Sequence, residues 1–199
     1  MANTETILKF LHYLNDADNS FILKGGAALS LLYNCPRCSD NVDLDAWPTD
    51  ADILSFVSAF CSENGHKYNV NKNTATVQCV IIYGNIDTPL RVELSRRLTY
   101  KPVSVSLNNI HTYTLDQLFH LKHSALLGRE RVRDLFDTLW LYLNFGNLLK
   151  DQDVQDFKDT LDRRGSDWYL NLIKTQNDIY VDAEQTKAMF SSVFNLLGL

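Results

Sequence analysis

Apolar residues recur at helical spacing at both ends of the chain and at strand spacing between them. Ile7, Leu8, Leu11 and Leu14 share one face of a helix predicted over 4–15. Phe21 to Lys24 reads as a short strand, which Gly25 and Gly26 turn into a helix reaching Tyr33; 34–40 is a polar loop closed by a proline. Asn41 to Trp47 is a strand. The next helix carries Ile53, Leu54, Val57 and Phe60 inward to about Ser62, with Thr49 or Asp50 as its cap and Asn64-Gly65 as its stop. From 67 to 112 the period becomes two. A hairpin of 68–70 and 75–83 turns around 71–74, followed by strands at 90–94, 103–107 and 110–113. Beyond Thr114 the helical period returns in five segments, 115–127, 130–145, 151–163, 166–178 and 183–197. This order predicts an α+β protein, with a mixed sheet and flanking helices over 1–113 and a helical bundle over 114–199.

A net charge of −5 argues against a surface that coats nucleic acid generally, while leaving room for a local basic cleft. Lys24, Arg37, Arg91, Arg96 and Arg97 are scattered enough to be ordinary surface cations. Nothing near the N-terminus resembles a signal peptide, and no apolar run approaches the roughly 20 residues of a membrane span, so a cytoplasmic protein is expected. Cys35 and Cys38 form a single Cys-x-x-Cys, while Cys61 and Cys79 stand apart; free thiols in a reducing compartment account for this better than zinc or redox chemistry.

The chemistry concentrates between residues 23 and 45. A glycine pair opening a helix offers backbone N–H groups to phosphate oxygens, although Gly-Gly after a strand is also a common tight turn. On the strand that follows, Asn41, Asp43 and Asp45 project to one face, and Val42 and Leu44 to the other. Alone this describes a solvated acidic face. Arg91-Val92-Glu93-Leu94 repeats the pattern, and if the two strands are neighbours Glu93 joins Asp43 and Asp45 in a three-carboxylate cluster. Such a cluster repels itself without a cation, and Mg²⁺ or Mn²⁺ would relieve it beside bound phosphates. Lys24, just before the glycines, is either a solvated cation or a phosphate contact.

The helical half adds two features. Lys122 lies on the apolar stripe Leu115, Leu118, Leu121, Ala125 and Leu126, so it either snorkels outward or reaches a charged partner. Arg133 and Asp137, spaced i and i+4, suit a helix-surface ion pair. Asp137 also borders the apolar face beside Phe136 and Trp140, where an idle carboxylate is costly.

Leu23-Lys24-Gly25-Gly26-Ala27-Ala28-Leu29, Arg37-x-Ser39 and Val42-Asp43-Leu44 resemble the nucleotidyltransferase family of AbiEii/AbiGii-type toxins. Lys122, Ala125 to Arg129 and Arg133 to Asp137 resemble its second conserved region, in the same order. The resemblance implies a DNA polymerase β-like nucleotidyltransferase core, an NTP donor, Mg²⁺, a nucleic-acid or protein acceptor, and a toxin whose antitoxin is a separate protein; some relatives modify tRNA. It implies a phosphate loop at Gly25 and Gly26, with Lys24, Ser39 and Arg133 toward the nucleotide. Asp43 would be a metal ligand and Glu93 the third carboxylate, with Lys122 and Asp137 as contributions from the helical part. The family carries Asp at both positions of its Asp-x-Asp pair, and Asn41 occupies the first. Either Asp43 and Asp45 serve as the pair, with Asp40 compensating in part, or the chain is a non-catalytic relative that binds a nucleotide or a protein. A free-standing adenylyltransferase of small molecules fits the glycine-to-aspartate segment, and the Arg133–Asp137 region less well.

Overall fold

The computed structural model describes residues 4–39, 41–83 and 89–199, and Asp40 lies outside them. The chain forms two compact units, Met1–Thr114 and Leu115–Leu199. The first runs α1 (Thr4–Ala17), β1 (Phe21–Lys24), α2 (Gly25–Leu32), β2 (Asn41–Ala46), α3 (Ile53–Asn64), β3 (Lys67–Asn73), β4 (Thr76–Ile82), β5 (Leu90–Ser95), β6 (Ser104–Leu107) and β7 (Ile110–Tyr113). The second contains α4 (Leu115–Arg129), α5 (Val132–Phe145), a 3₁₀ turn at Gly146–Leu148, α6 (Asp151–Arg164), α7 (Ser166–Thr175) and α8 (Ala183–Leu196).

The predicted elements all form, but the hairpin turn expected around 71–74 narrows to residues 74–75, because β3 runs on through Asn73 past a bulge between Val70 and Lys72. The α3 cap is Asp52 rather than Thr49 or Asp50, because only its carboxylate accepts from Leu54 N and Ser55 N, at 3.1 and 3.4 Å. Gly65 ends that helix in the left-handed conformation, φ 65°. Seven strands make one mixed sheet in the order β3-β4-β5-β2-β1-β7-β6. β2 is antiparallel to β1 and parallel to β5; β1 is parallel to β7. Ile7, Phe10 and Leu11 of α1 and Val57 and Phe60 of α3 are fully buried, with Phe10 edge-on to Phe60 at 5.2 Å.

In the helical unit the core centres on Phe119, Phe157 and Tyr169. His123 is buried there, its ring 5.4 Å from that of Phe157 and its Nε2 3.1 Å from Thr160 Oγ1. Burial pulls this imidazole below its ordinary pKa; Asp156 and Asp153 oppose the shift, and His120 and Arg164 add to it. The folded protein therefore prefers the neutral ring, and the unfolded chain binds more protons below about pH 6.5. The stability due to His123 is complete above that pH and is lost as pH falls through it toward the folded-state value. Denaturant midpoints measured between about pH 7 and pH 5.5 should drop less steeply in His123→Gln than in the parent. Parallel slopes would remove His123 as a source of the acid sensitivity.

Candidate active site

The site is built at one end of the sheet. Because β1 and β2 are antiparallel, the C-terminal end of β1 and the start of β2 meet, with Lys24 opposite Asp43. β5, parallel to β2, places Glu93 opposite Asp43 and Arg91 opposite Asn41. Directly paired residues share a face, so these side chains stand on one surface of the sheet.

Gly25 starts α2 with φ +73°, a conformation L side chains rarely adopt. A Cβ there would lie 2.5 Å from Asp43 Oδ2 and 3.2 Å from Asp43 Cβ, so the carboxylate rests directly against the α-carbon of Gly25. Lys24 supplies no side-chain cap to α2. At Gly26 a Cβ would meet Arg37 Nη2 at 2.5 Å and Nη1 at 2.9 Å. Arg37 is not an ordinary surface cation: it is 6% exposed, and its Nη1 donates to Cys38 O at 3.1 Å. A buried guanidinium thus packs on the first turn of a helix whose own N-terminus is positive, and the two together make a strongly anion-favouring corner. Ser39 Oγ donates to the Asn41 carbonyl at 3.3 Å, tying the loop to the start of β2.

Asp45 does not join Asp43 and Glu93. Its Oδ1 takes Lys24 Nζ at 2.6 Å and its Oδ2 accepts from the Tyr113 hydroxyl at 2.7 Å, while the residue is 4% exposed. Burial and the adjoining Asp45 carboxylate raise the Tyr113 pKa, so the phenol stays a donor. Lys24 is likewise committed to Asp45 in this structure. Among the described residues no three His, Cys, Asp or Glu side chains converge into a metal-holding group, so the expected trio of Asp43, Asp45 and Glu93 is not assembled. What remains is a pair: Asp43 and, one strand away, Glu93, whose Oε2 accepts from Gln78 Nε2 of β4 at 2.6 Å. Asn41 adds a carbonyl oxygen, Oδ1, that is buried and has no hydrogen-bond partner among the described residues. Two carboxylates and an amide oxygen are hard donors, matching a small divalent cation better than a softer metal. A cavity of about 340 Å³ opens over this surface, with Asn41, Asp43, Gln78 and Glu93 in its wall.

The sequence had not singled out Tyr113 or Gln78. Gln78 was readable from alternation along β4, once the β4–β5 register was known; nothing local could have placed Tyr113 beside Asp45. Cys79, across the strand from Gln78, is no nucleophile, because burial and Cys61 push its thiol up to about 12.

The helical unit has its own buried charges. Lys122 does not snorkel: 7% exposed, it sets Nζ 2.6 Å from Asp137 Oδ2 and 3.9 Å from Asp134 Oδ1. Asp134, fully buried, also receives Arg129 Nη2 at 2.8 Å and Nε at 3.2 Å. Arg133 does not pair with Asp137; its Nε lies 2.7 Å from Asp178 Oδ2 and its guanidinium 5.0 Å from the Tyr180 ring. Asp134 was missed because its neighbour Asp137 alone bordered the apolar face in the sequence pattern.

No helix among the described residues is long and apolar enough to cross a membrane. The model of the nucleotidyl transferase AbiEii toxin family, of type IV toxin–antitoxin systems, matches residues 10–196. No curated protein matches. Several solved structures share the fold, two from Helicobacter pylori among them. That of JHP933 from Helicobacter pylori has a TM-score of 0.74 at 22% identity, covering 99% of this chain and 93% of the other. That of a candidate nucleotidyltransferase from H. pylori also has a TM-score of 0.74 at 22% identity, covering 97% and 92%. With the family match spanning nearly the whole of both units, the chain belongs to the AbiEii family of nucleotidyltransferase toxins of type IV toxin–antitoxin systems.

Proposed function

We propose that this protein transfers a nucleotidyl group from an NTP to a nucleic-acid acceptor, tRNA being one candidate, as the cytoplasmic toxin opposed by a separate antitoxin protein. The observation that carries this reading is the contact of the Asp43 carboxylate with Gly25, which sets a metal-binding oxygen against the anion-favouring start of α2. The backbone of Gly25 and Gly26 and the Arg37 guanidinium receive the triphosphate. Asp43 and Glu93, with the Asn41 amide oxygen, would hold Mg²⁺ or Mn²⁺, which when bound neutralises phosphate charge and favours the ionised acceptor hydroxyl. Asp43 fixes the α-phosphate side of the donor, and Gln78 keeps Glu93 aimed. The acceptor oxygen bonds to the α-phosphorus while the bond to the bridging oxygen of the β-phosphate breaks. Pyrophosphate leaves with the electron pair, and the hydroxyl proton passes to the Glu93 carboxylate. Positioning and charge neutralisation supply most of what such an in-line displacement needs.

Asn41 and the engagement of Asp45 favour a second reading, a catalytically impaired relative that binds a nucleotide or protein. Isothermal titration with each NTP, with and without Mg²⁺, separates the two. Metal-dependent binding that disappears in Asp43→Ala is the result expected of the enzyme. Absence of binding to every NTP would move the protein to the second reading.

A further inference from the structure

Phosphoryl-transfer sites with two metal ions set them about 3.5–4 Å apart and need carboxylates that reach both. On β2 the natural partner for Asp43 in such a site is Asp45, the next acidic residue on the same face, about 7 Å along the strand. The structure engages Asp45 otherwise. Leu23 of β1 pairs with Thr112 of β7, so Lys24 and Tyr113, each one residue on, stand level. Both reach Asp45: Lys24 Nζ lies 2.6 Å from Oδ1, and the Tyr113 hydroxyl donates to Oδ2 at 2.7 Å.

Both Asp45 oxygens are therefore occupied by the chain itself. A dication on Oδ1, at about 2.1 Å, would stand within about 5 Å of the ammonium nitrogen, where the two cations repel. Tyr113 is buried, so its bond to Oδ2 is sheltered from water. The Lys24 side chain, by contrast, is 27% exposed, and among the described residues Asp45 is the one partner of its three donors. The ammonium is anchored from one side and partly open on the other. Lys24 and Asp45 cancel each other's charge. What is left for a metal is Asp43 and Glu93, two negative charges for one dication, with the neutral Asn41 Oδ1 beside them.

We infer, resting on the nucleotidyl-transfer reading above, that the site takes a single divalent cation on Asp43, Glu93 and Asn41, and that the Lys24 ammonium fills the place of a second. Asp45 and Tyr113 are positioning residues. They hold the ammonium on the sheet face beside Asp43, where it supplies positive charge that no further metal has to bring. The pairing of Lys24 with Asp43 across β1 and β2 puts the two side chains on that same face. A plain tie between β1 and β2 accounts for the Lys24–Asp45 distance equally well. That role, however, leaves the number of bound metal ions the same with and without Lys24.

The test is titration of MnCl₂ into the parent protein, Lys24→Met and the double variant Lys24→Met/Asp45→Asn. Each is titrated alone and with inorganic tripolyphosphate, the part of the donor common to every NTP. Calorimetry counts the bound ions, electron paramagnetic resonance reads whether two Mn²⁺ ions are close enough to couple, and thermal melts check folding. The expected result is one ion with an uncoupled spectrum in the parent. Lys24→Met should take up a second, coupled ion, because the Asp45 carboxylate then lacks its cation. The double variant should return to one. Two coupled ions in the parent would overturn the inference and leave the donor reading standing, a result that does not depend on any variant folding. A single ion in folded Lys24→Met would also overturn it, reducing Lys24 to a tie between strands. A parent that binds no Mn²⁺ under either condition would sink the donor reading and the inference together.

Discussion

Replacing Lys122 by alanine should be among the most destabilising single changes in the protein, costing about 3–5 kcal/mol. The side chain is 8% exposed, and its ammonium lies 2.6 Å from Asp137, which is fully buried, and 3.9 Å from Asp134. Without it, a buried carboxylate would have to stay ionised in an apolar surrounding or take up a proton. Arg129 moderates the loss at Asp134, since it remains bonded there through two nitrogens. Urea unfolding monitored by circular dichroism would read the change as a lower midpoint. The double variant Lys122→Met/Asp137→Asn provides the control: with no lone charge left behind, it should recover much of the stability. A Lys122→Ala protein with an unchanged midpoint would mean that these charges are solvated rather than buried.

Asn41→Asp is expected to act in the opposite direction on metal affinity. Asn41 Oδ1 is buried without a hydrogen-bond partner among the described residues and stands two residues from Asp43 on the same face of β2. Converting the amide to a carboxylate adds a negative charge to a surface already holding Asp43 and Glu93. Without metal, the like charges should lower the melting temperature and cost about 1 kcal/mol. With Mn²⁺ the added charge should tighten binding by about 10- to 100-fold, since ligand charge count is a principal control on divalent-cation affinity. Calorimetric titration with MnCl₂ and melts with and without the ion read both effects, independently of any acceptor. Equal Mn²⁺ affinity in the two proteins would place the cation away from residue 41.

The elements were legible in the sequence because each has a strong apolar period and clear breakers, such as Asn64-Gly65 after α3. The side on which Asn41, Asp43 and Asp45 stand was legible too, since alternation along a strand fixes it. What alternation cannot supply is the identity of distant neighbours. Asp45 looked equivalent to Asp43, but β1 brings Lys24 and β7 brings Tyr113 to it, so the two carboxylates have different fates. Spacing misled in the helical unit for a related reason. Arg133 and Asp137 lie one turn apart on α5, yet tertiary packing gives each a different partner, Asp178 and Lys122. Arg37, taken for a surface cation, is buried because Gly26 leaves the space its guanidinium fills.

The β3–β4 hairpin reaches the rest of the sheet through β5, with β3 as its outer edge. The proposed donor residues, by contrast, fall within 25–43, plus Glu93 on β5. A change in that hairpin, including a shift of the bulge between Val70 and Lys72, therefore leaves the packing of Asp43 on Gly25 and of Arg37 on Gly26 in place.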